Sequence, residues 1–398
     1  MTQFQPGVFV YDTVRTPKAR VRRAGGTLAE VPAHELLAQV LNALCERGTP
    51  ADRVDEVVIG TSTTVGEQGG DVARAALLWA GWPDEISAGV VSRLCCSGLD
   101  ALATGAAEIA AGSAQVVVAG GVESMSRVPM MADRPAFATD TALGDRTGYV
   151  PIGVSADLTA VRYGFTRAEL DAAALASHRR AAAAPTWESL VPVRGQEGVL
   201  LAGDEGARPD TTEETLAALP PLFGDDPSWE RVEQRLPGMT RPETGLHTAA
   251  TAPQSADAAA VAVLGKRSAA ALFDRPPMAE IVGATHAAVR SPLLTAPVTA
   301  ARKAIAAAGI SVERLDVVEA NESFAASPLA LIRELGLDPE KVNPNGGSMA
   351  TGHPLGAAGG VLLANALDHL RRVDGEFALI TVPAALGMGS ALVVRRLR

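Results

Sequence analysis

The stretch Val91-Ser92-Arg93-Leu94-Cys95-Cys96-Ser97-Gly98-Leu99 puts a thiol where a buried strand gives way to a long alanine-rich helix. Val90 and Val91 read as the end of the strand, and from Leu99 to Ala110 apolar residues recur at helical spacing. A thiol at the start of a helix faces unpaired backbone N–H groups and the positive end of the helix dipole. Both favour the thiolate, and so a nucleophile. A buried structural cysteine is the alternative reading of this segment alone, because free cysteine commonly packs as a small hydrophobe.

Far downstream, Asn343-Pro344-Asn345-Gly346-Gly347-Ser348-Met349-Ala350-Thr351-Gly352-His353-Pro354-Leu355-Gly356 holds one histidine in a glycine-rich loop that runs into a second alanine-rich helix. Glycine lets backbone approach a ligand closely, and Pro354 fixes the turn behind the imidazole. A surface residue is the plainer reading of a loop histidine; the tight glycine flanks argue against it. The surroundings of the two loops also match. Arg53-Val54-Asp55-Glu56-Val57-Val58-Ile59-Gly60 parallels Glu313-Arg314-Leu315-Asp316-Val317-Val318-Glu319-Ala320, each leading into a buried strand. Gln115-Val116-Val117-Val118-Ala119, after the first helix, parallels Phe377-Ala378-Leu379-Ile380, after the second. This duplication predicts two similar α/β halves whose pseudo-twofold arrangement brings Cys95 near His353.

Five ordered segments, the histidine loop among them, resemble the thiolase family, whose members make or cleave 3-ketoacyl-CoA through an acyl-cysteine intermediate. They are Arg15-Thr16-Pro17 with Gly25-Gly26-Thr27-Leu28, Gly120-Gly121-Val122-Glu123-Ser124-Met125-Ser126, Arg208-Pro209-Asp210-Thr211-Thr212-Glu213-Glu214, Asn321-Glu322-Ser323-Phe324 and Gly352-His353-Pro354-Leu355-Gly356. The resemblance spans nearly the whole chain and implies the thiolase fold, an α/β architecture in which two duplicated halves form a five-layered α-β-α-β-α core with an inserted loop domain. The N-terminal half is expected over 1–121, completed by about 256–275. The loop domain, punctuated by prolines, is expected over 122–255, and the C-terminal half over 276–398.

Residue by residue, the resemblance implies that Cys95 accepts the acyl group and that His353 deprotonates it. Asn321 would hold a water that, with His353, donates to the thioester oxygen, and the backbone N–H groups of Cys95 and Ala385 would form a second oxyanion hole. Phe324, Leu293 and Ala249 fall at positions that line the family's pantetheine channel, with ordinary core packing as the alternative for all three. Acyl-CoA and CoA would be substrates, no cofactor would be bound permanently, and a homodimer or homotetramer is expected.

One departure bears on the chemistry. Where the family carries a second reactive cysteine, the base for the α-proton, this chain has Pro383. Cys45 reads as core of an amphipathic helix, and vicinal Cys96 is expected to point away from Cys95. General acid–base help is worth roughly 10²–10⁴ in rate, so ordinary Claisen or thiolytic turnover is expected to be impaired while acyl transfer through Cys95 survives. Pro253, within the altered segment Ala249–Asp257, and the charged run from Asp225 to Arg235 suggest a remodelled pocket. Two alternatives stand beside the acyltransferase: a decarboxylative condensing enzyme using the Cys/His/Asn set, and a non-catalytic scaffold, against which the joint presence of Cys95, His353 and Asn321 argues.

The composition agrees with an enzyme core. Of 398 residues, 47% are hydrophobic and 20% charged, ample material to bury. A net charge of −10 argues against a nucleic-acid partner. Lys18, Arg20, Arg22 and Arg23, or His178, Arg179 and Arg180, offer a local positive patch for CoA, with a solvated face as the alternative for each. Three cysteines make no disulfide framework and fit a reducing, cytoplasmic setting. Met1–Pro6 shows no export signal, no apolar run approaches the roughly 18 residues of a membrane span, and the six histidines show no metal-ligand spacing.

Overall fold

The β-branched runs form strands wherever they are buried on both faces. A computed structural model describes residues 7–23, 25–273 and 275–398; the reading of Met1–Pro6 lies outside them. The strands are β1 (Val8–Arg15), β2 (Ala19–Arg20), β3 (Glu56–Gly60), β4 (Ser87–Val91), β5 (Val116–Ser124), β6 (Val193–Gly195), β7 (Gly198–Leu201), β8 (Ala256–Lys266), β9 (Ala279–Ala288), β10 (Leu315–Ala320), β11 (Phe377–Ala384) and β12 (Met388–Arg396).

In the first half β3 lies parallel between β4 and β5, β5 pairs antiparallel with β8, and β8 pairs antiparallel with β1. In the second half β10 lies parallel to β11, β11 pairs antiparallel with β12, and β12 pairs antiparallel with β9. The order β3-β5-β8-β1 is thus repeated, with the same directions, as β10-β11-β12-β9. The halves join where Phe9 of β1 meets Glu280 of β9.

The helices Ser97–Ala111 and Ala358–Arg372 each contact strands of both halves and form the middle layer. Leu99, Leu102 and Ile109 share one core there with Leu362, Leu363 and Leu370. Helix Ala33–Glu46 covers the outer face of the first sheet and helix Ala296–Ala307 that of the second, which completes the α-β-α-β-α order. Small residues permit the close central packing: a Cβ on Gly98 would lie 2.6 Å from the Gly356 carbonyl oxygen. One sequence expectation is corrected here. The window Leu94–Ala111 does have the length and mean hydropathy, 1.2, of a membrane span, but 61% of it is buried inside the fold, because a helix sandwiched between two sheets is apolar all round.

Between β5 and β8 lie the hairpin β6–β7 and several helices. The helix read from the sequence spans Arg167–Ala183 and starts at a Thr166/Glu169 capping box. A second, Ile152–Tyr163, gave no periodic signal because it buries Ser155, Asp157 and Thr159 as well as its apolar residues. These helices pack on the second half: Phe165, Leu170 and Ala174 meet Ala325, Ala326 and Ala330.

Candidate active site

Leu94, at φ 50°, takes the left-handed turn that aims the next residue at the centre of the molecule. The Ser97 hydroxyl accepts from the Arg93 amide at 2.9 Å and donates to the Leu94 carbonyl at 2.5 Å, which locks the turn. Cys96 caps the helix and its thiol donates to the Val382 carbonyl at 3.1 Å, away from the cavity that Cys95 lines. Cys95 is 7% exposed. Burial first, then the neighbouring Cys96 and Glu123, holds its thiol far above the ordinary range, and burial pushes Cys96 up to about 12. The expectation of a resting thiolate at the helix terminus is therefore corrected: desolvation outweighs the dipole, and burial favours the neutral Cys95 thiol.

The histidine loop is pinned by the His353 amide donating to the Gln254 carbonyl at 2.7 Å. His353 is buried and driven down to about 3, by burial and then by Lys18, so its imidazole is neutral. Its Nδ1 has no partner, and its Nε2 lies 3.4 Å from Asn321 Nδ2. Asn321 is held from three sides: its amide donates to Thr381 O at 2.8 Å, its Nδ2 to Ser323 Oγ at 2.6 Å, and its Oδ1 accepts from Ser348 at 2.7 Å.

Cys95 and His353 line one chamber of about 110 Å³ together with Phe324, Ser323 and Gln254. From Cys95 a larger cavity of about 390 Å³ continues past Ala385, Ser62, Phe324, Phe223 and Met130. Among the described residues neither the Cys95 nor the Ala385 amide donates to a backbone carbonyl. Three residues beside the chamber, Leu94, Phe324 (φ 148°) and Leu386 (φ 61°), hold positive φ without being glycine, the kind of backbone strain that gathers at functional sites.

Pro383 is buried in β11 opposite Gly389, two residues before Ala385. Leu293 packs with Val150, Val154, Leu158 and Trp229, and Ala249 is exposed; neither lines the cavity, whereas Phe324 does. Among the described residues no group of three or more His, Cys, Asp or Glu is placed to hold a metal ion.

Two family models match the chain, the N-terminal thiolase domain over residues 8–229 and the C-terminal thiolase domain over 275–396. The chain belongs to the thiolase family. It is 38% identical to the beta-ketoadipyl-CoA thiolase of Pseudomonas aeruginosa, over 98% of this chain and 99% of that protein. It is 37% identical to an acetyl-CoA acetyltransferase of the same organism, over 93% and 95%. The crystal structure of the Bacillus anthracis acetyl-CoA acetyltransferase superposes with a TM-score of 0.85 at 31% identity, over the whole of both chains.

Several residues that shape this site were not singled out from the sequence, Glu123 among them although it lies in a quoted motif segment. The buried Glu123 carboxyl accepts from the amides of Ser62 (2.8 Å), Thr63 (3.2 Å) and Gly356 (2.8 Å) and from Gln68 Nε2 (2.7 Å), so it ties the histidine loop to the nucleophile half. His247 and Asp157, 2.7 Å apart and fully buried, form a post behind Phe324. The Ala326 amide donates to His247 Nε2, which assigns the Nδ1 proton to Asp157. The basic patches are corrected. Lys18 is buried and donates to Thr351 Oγ1, Arg20 Nη2 donates to Gln254 Oε1, and His178 is sunk in the fold and lowered to about 4 by burial and by Arg208 and Arg20. Arg22, Arg23 and Arg179 remain exposed.

Proposed function

We propose that this thiolase-family acyl-CoA acyltransferase loads an acyl group onto Cys95 and passes it to an acceptor by a route that does not use a second cysteine. The observation that carries this reading is the shared chamber: Cys95 and His353 line it, Asn321 stands 3.4 Å from the imidazole, and Cys95 and Ala385, whose amides donate to no backbone carbonyl among the described residues, both line the larger cavity that continues from it. Loading forms the bond from Cys95 sulfur to the acyl carbon and breaks the bond from that carbon to the CoA sulfur. The thiol proton passes to His353 and then to the departing CoA thiolate. A neutral thiol beside a neutral imidazole suits this sequence, because neither charge has to be held in the buried site before substrate arrives. The paired amides would receive the oxyanion, a contribution of roughly 10²–10³ in rate per donor.

Removal of an α-proton from a second thioester calls for a further base. Among the described residues, the other titratable groups lining the two cavities are Tyr149 and Asp133; Pro383 has no proton to exchange. This lining favours acceptors that need no such base, and it supports decarboxylative condensation as the second reading, since loss of carbon dioxide makes the carbanion directly. Intact-protein mass spectrometry after incubation with acyl-CoA thioesters tests the proposal. An acyl adduct is expected on the parent protein and absent from Cys95→Ala; a folded parent that forms no adduct with any thioester overturns it in favour of the scaffold.

A further inference from the structure

The turn that carries Cys95 is held from behind by a polar row whose members, Asp100, His286 and Ser390, line neither cavity. On the second sheet His286 of β9 stands opposite Ser390 of β12, and Ser390 stands opposite Val382 of β11. His286 Nδ1 and Ser390 Oγ are 2.8 Å apart, and the Ser390 hydroxyl lies beside the Cys96 sulfur, whose proton goes to the Val382 carbonyl at 3.1 Å. At the other end of the row, His286 Nε2 stands 3.1 Å from Oδ1 of Asp100, in the first turn of the helix that follows Cys95. Arg93 Nη2 donates to the same carboxylate oxygen at 3.2 Å. Cys95 is thus bracketed. Arg93 before it is tied to the row through Asp100, and Cys96 after it through Ser390 and Val382.

Ser390 is buried, and a buried hydroxyl costs free energy unless it is hydrogen-bonded. A carboxylate oxygen beside Nε2 assigns the ring proton there, so Nδ1 accepts from the Ser390 hydroxyl. Such bonds hold their partners within a narrow range of distance and angle, which apolar packing alone does not. The row joins the nucleophile turn to β11, and β11 leads directly into Ala385. We infer that Asp100, His286 and Ser390 are positioning residues for acyl transfer, which hold the Cys95 turn against β11 and so set the spacing of the Cys95 and Ala385 amides. The inference rests on the proposed loading of Cys95 and adds three residues to it. Because the row lies behind the turn and outside both cavities, it acts on the reacting step and leaves thioester binding alone.

Rates of acyl adduct formation from acetyl-CoA on the full-length protein, followed by mass spectrometry over a range of thioester concentrations, separate the two steps. In His286→Ala and in Ser390→Ala the saturating rate is expected to fall by at least about tenfold, toward the 10²-fold of small misplacements at a site, with the half-saturating concentration within about twofold of the parent's. His286→Gln, which carries a donor and an acceptor in one side chain, should recover most of the lost rate. Circular dichroism identifies the variants that are folded in the assay. A folded His286→Ala or Ser390→Ala protein with the parental saturating rate overturns the inference. So does a loss confined to the half-saturating concentration, or a folded His286→Gln protein as slow as His286→Ala. Each of these leaves the acylation of Cys95 standing, whereas a parent that forms no adduct with acetyl-CoA or with longer acyl-CoA thioesters overturns the inference together with the function it rests on.

Discussion

Replacing Glu123 by alanine removes the acceptor that four donors share in the space between the nucleophile and histidine halves. Oε2 accepts from the Ser62 and Gly356 amides, and Oε1 from the Thr63 amide and Gln68 Nε2. Each buried donor left unpaired costs roughly 1–3 kcal/mol. Burial already pushes the Glu123 carboxyl upward, so the native group carries a desolvation cost that its removal relieves. Taking the low end of the range for the donors, with water recovering part of the loss, the expected destabilisation is about 3 kcal/mol, a large share of the roughly 5–15 kcal/mol of a folded domain. Glu123→Gln keeps a carbonyl for Ser62 and Gly356 while turning an NH₂ toward Thr63 and Gln68, so about half the loss is expected. Urea unfolding followed by fluorescence reads the stability, and the rate of acyl adduct formation reads the site. Loading should fall by on the order of 10²-fold, because Ser62 and Thr63 line the cavity and small misplacements of a site cost that much. A Glu123→Ala protein within about 1 kcal/mol of the parent, loading acyl groups at the parental rate, would refute the claim that this carboxyl pins the two halves together.

Pro383→Cys is expected to speed removal of the α-protons of acetyl-CoA by about 10²-fold or more over the parent, the scale of general acid–base help; exchange of those protons in deuterated water, followed by NMR, checks it. Acid lability is a second expectation. His353 sits at about 3 in the fold against 6.5 when unfolded, so the unfolded chain binds the extra proton in that window. Its contribution to stability is whole above pH 6.5 and is lost as pH falls toward 3, up to about 5 kcal/mol in all. The parent should therefore lose more stability than His353→Asn between pH 7 and pH 4.5 in urea titrations, and equal slopes would contradict the burial of a neutral imidazole. Gly356→Ala should cost about 3 kcal/mol or more, since the added Cβ would lie 2.7 Å from both Glu123 Oε2 and the Ser62 amide nitrogen, neither of which can retreat. Differential scanning calorimetry is the check. Asp157→Ala should leave His247 Nδ1 and the His247 and Leu246 amides without their acceptor and loosen Phe324, destabilising the protein by about 1–3 kcal/mol; urea unfolding checks it.

Local chemistry made much of this protein legible in one dimension. The β-branched strands, the helix that follows Cys95, the glycine-flanked His353 and the repeated order of both halves follow from period, turn residues and residue type, and these survive in three dimensions as β3-β5-β8-β1 and its copy. Asn321 and Phe324 lie in a motif; Asn321 stands against the imidazole and Phe324 lines the chamber. Leu293 and Ala249, taken from the same resemblance, do not reach the cavity, because a position along a loop says little about which way its side chain faces. The charge of the site was misread for a related reason. A helix dipole can be inferred from sequence, whereas the desolvation that keeps the Cys95 thiol neutral depends on how completely two sheets and an inserted layer enclose it. The roles of Glu123, Lys18 and the His247–Asp157 post are not legible locally, even though Glu123 sits in a motif segment, since their partners lie far away along the chain and are brought together only by the fold. What the sequence by itself determined was the duplicated α/β scaffold and the candidate set of Cys95, His353 and Asn321, both encoded in neighbouring residues. What only the tertiary structure decided was the state and reach of those groups, a neutral thiol and imidazole at the end of an apolar cavity, because burial and electrostatic environment are properties of the whole packed chain.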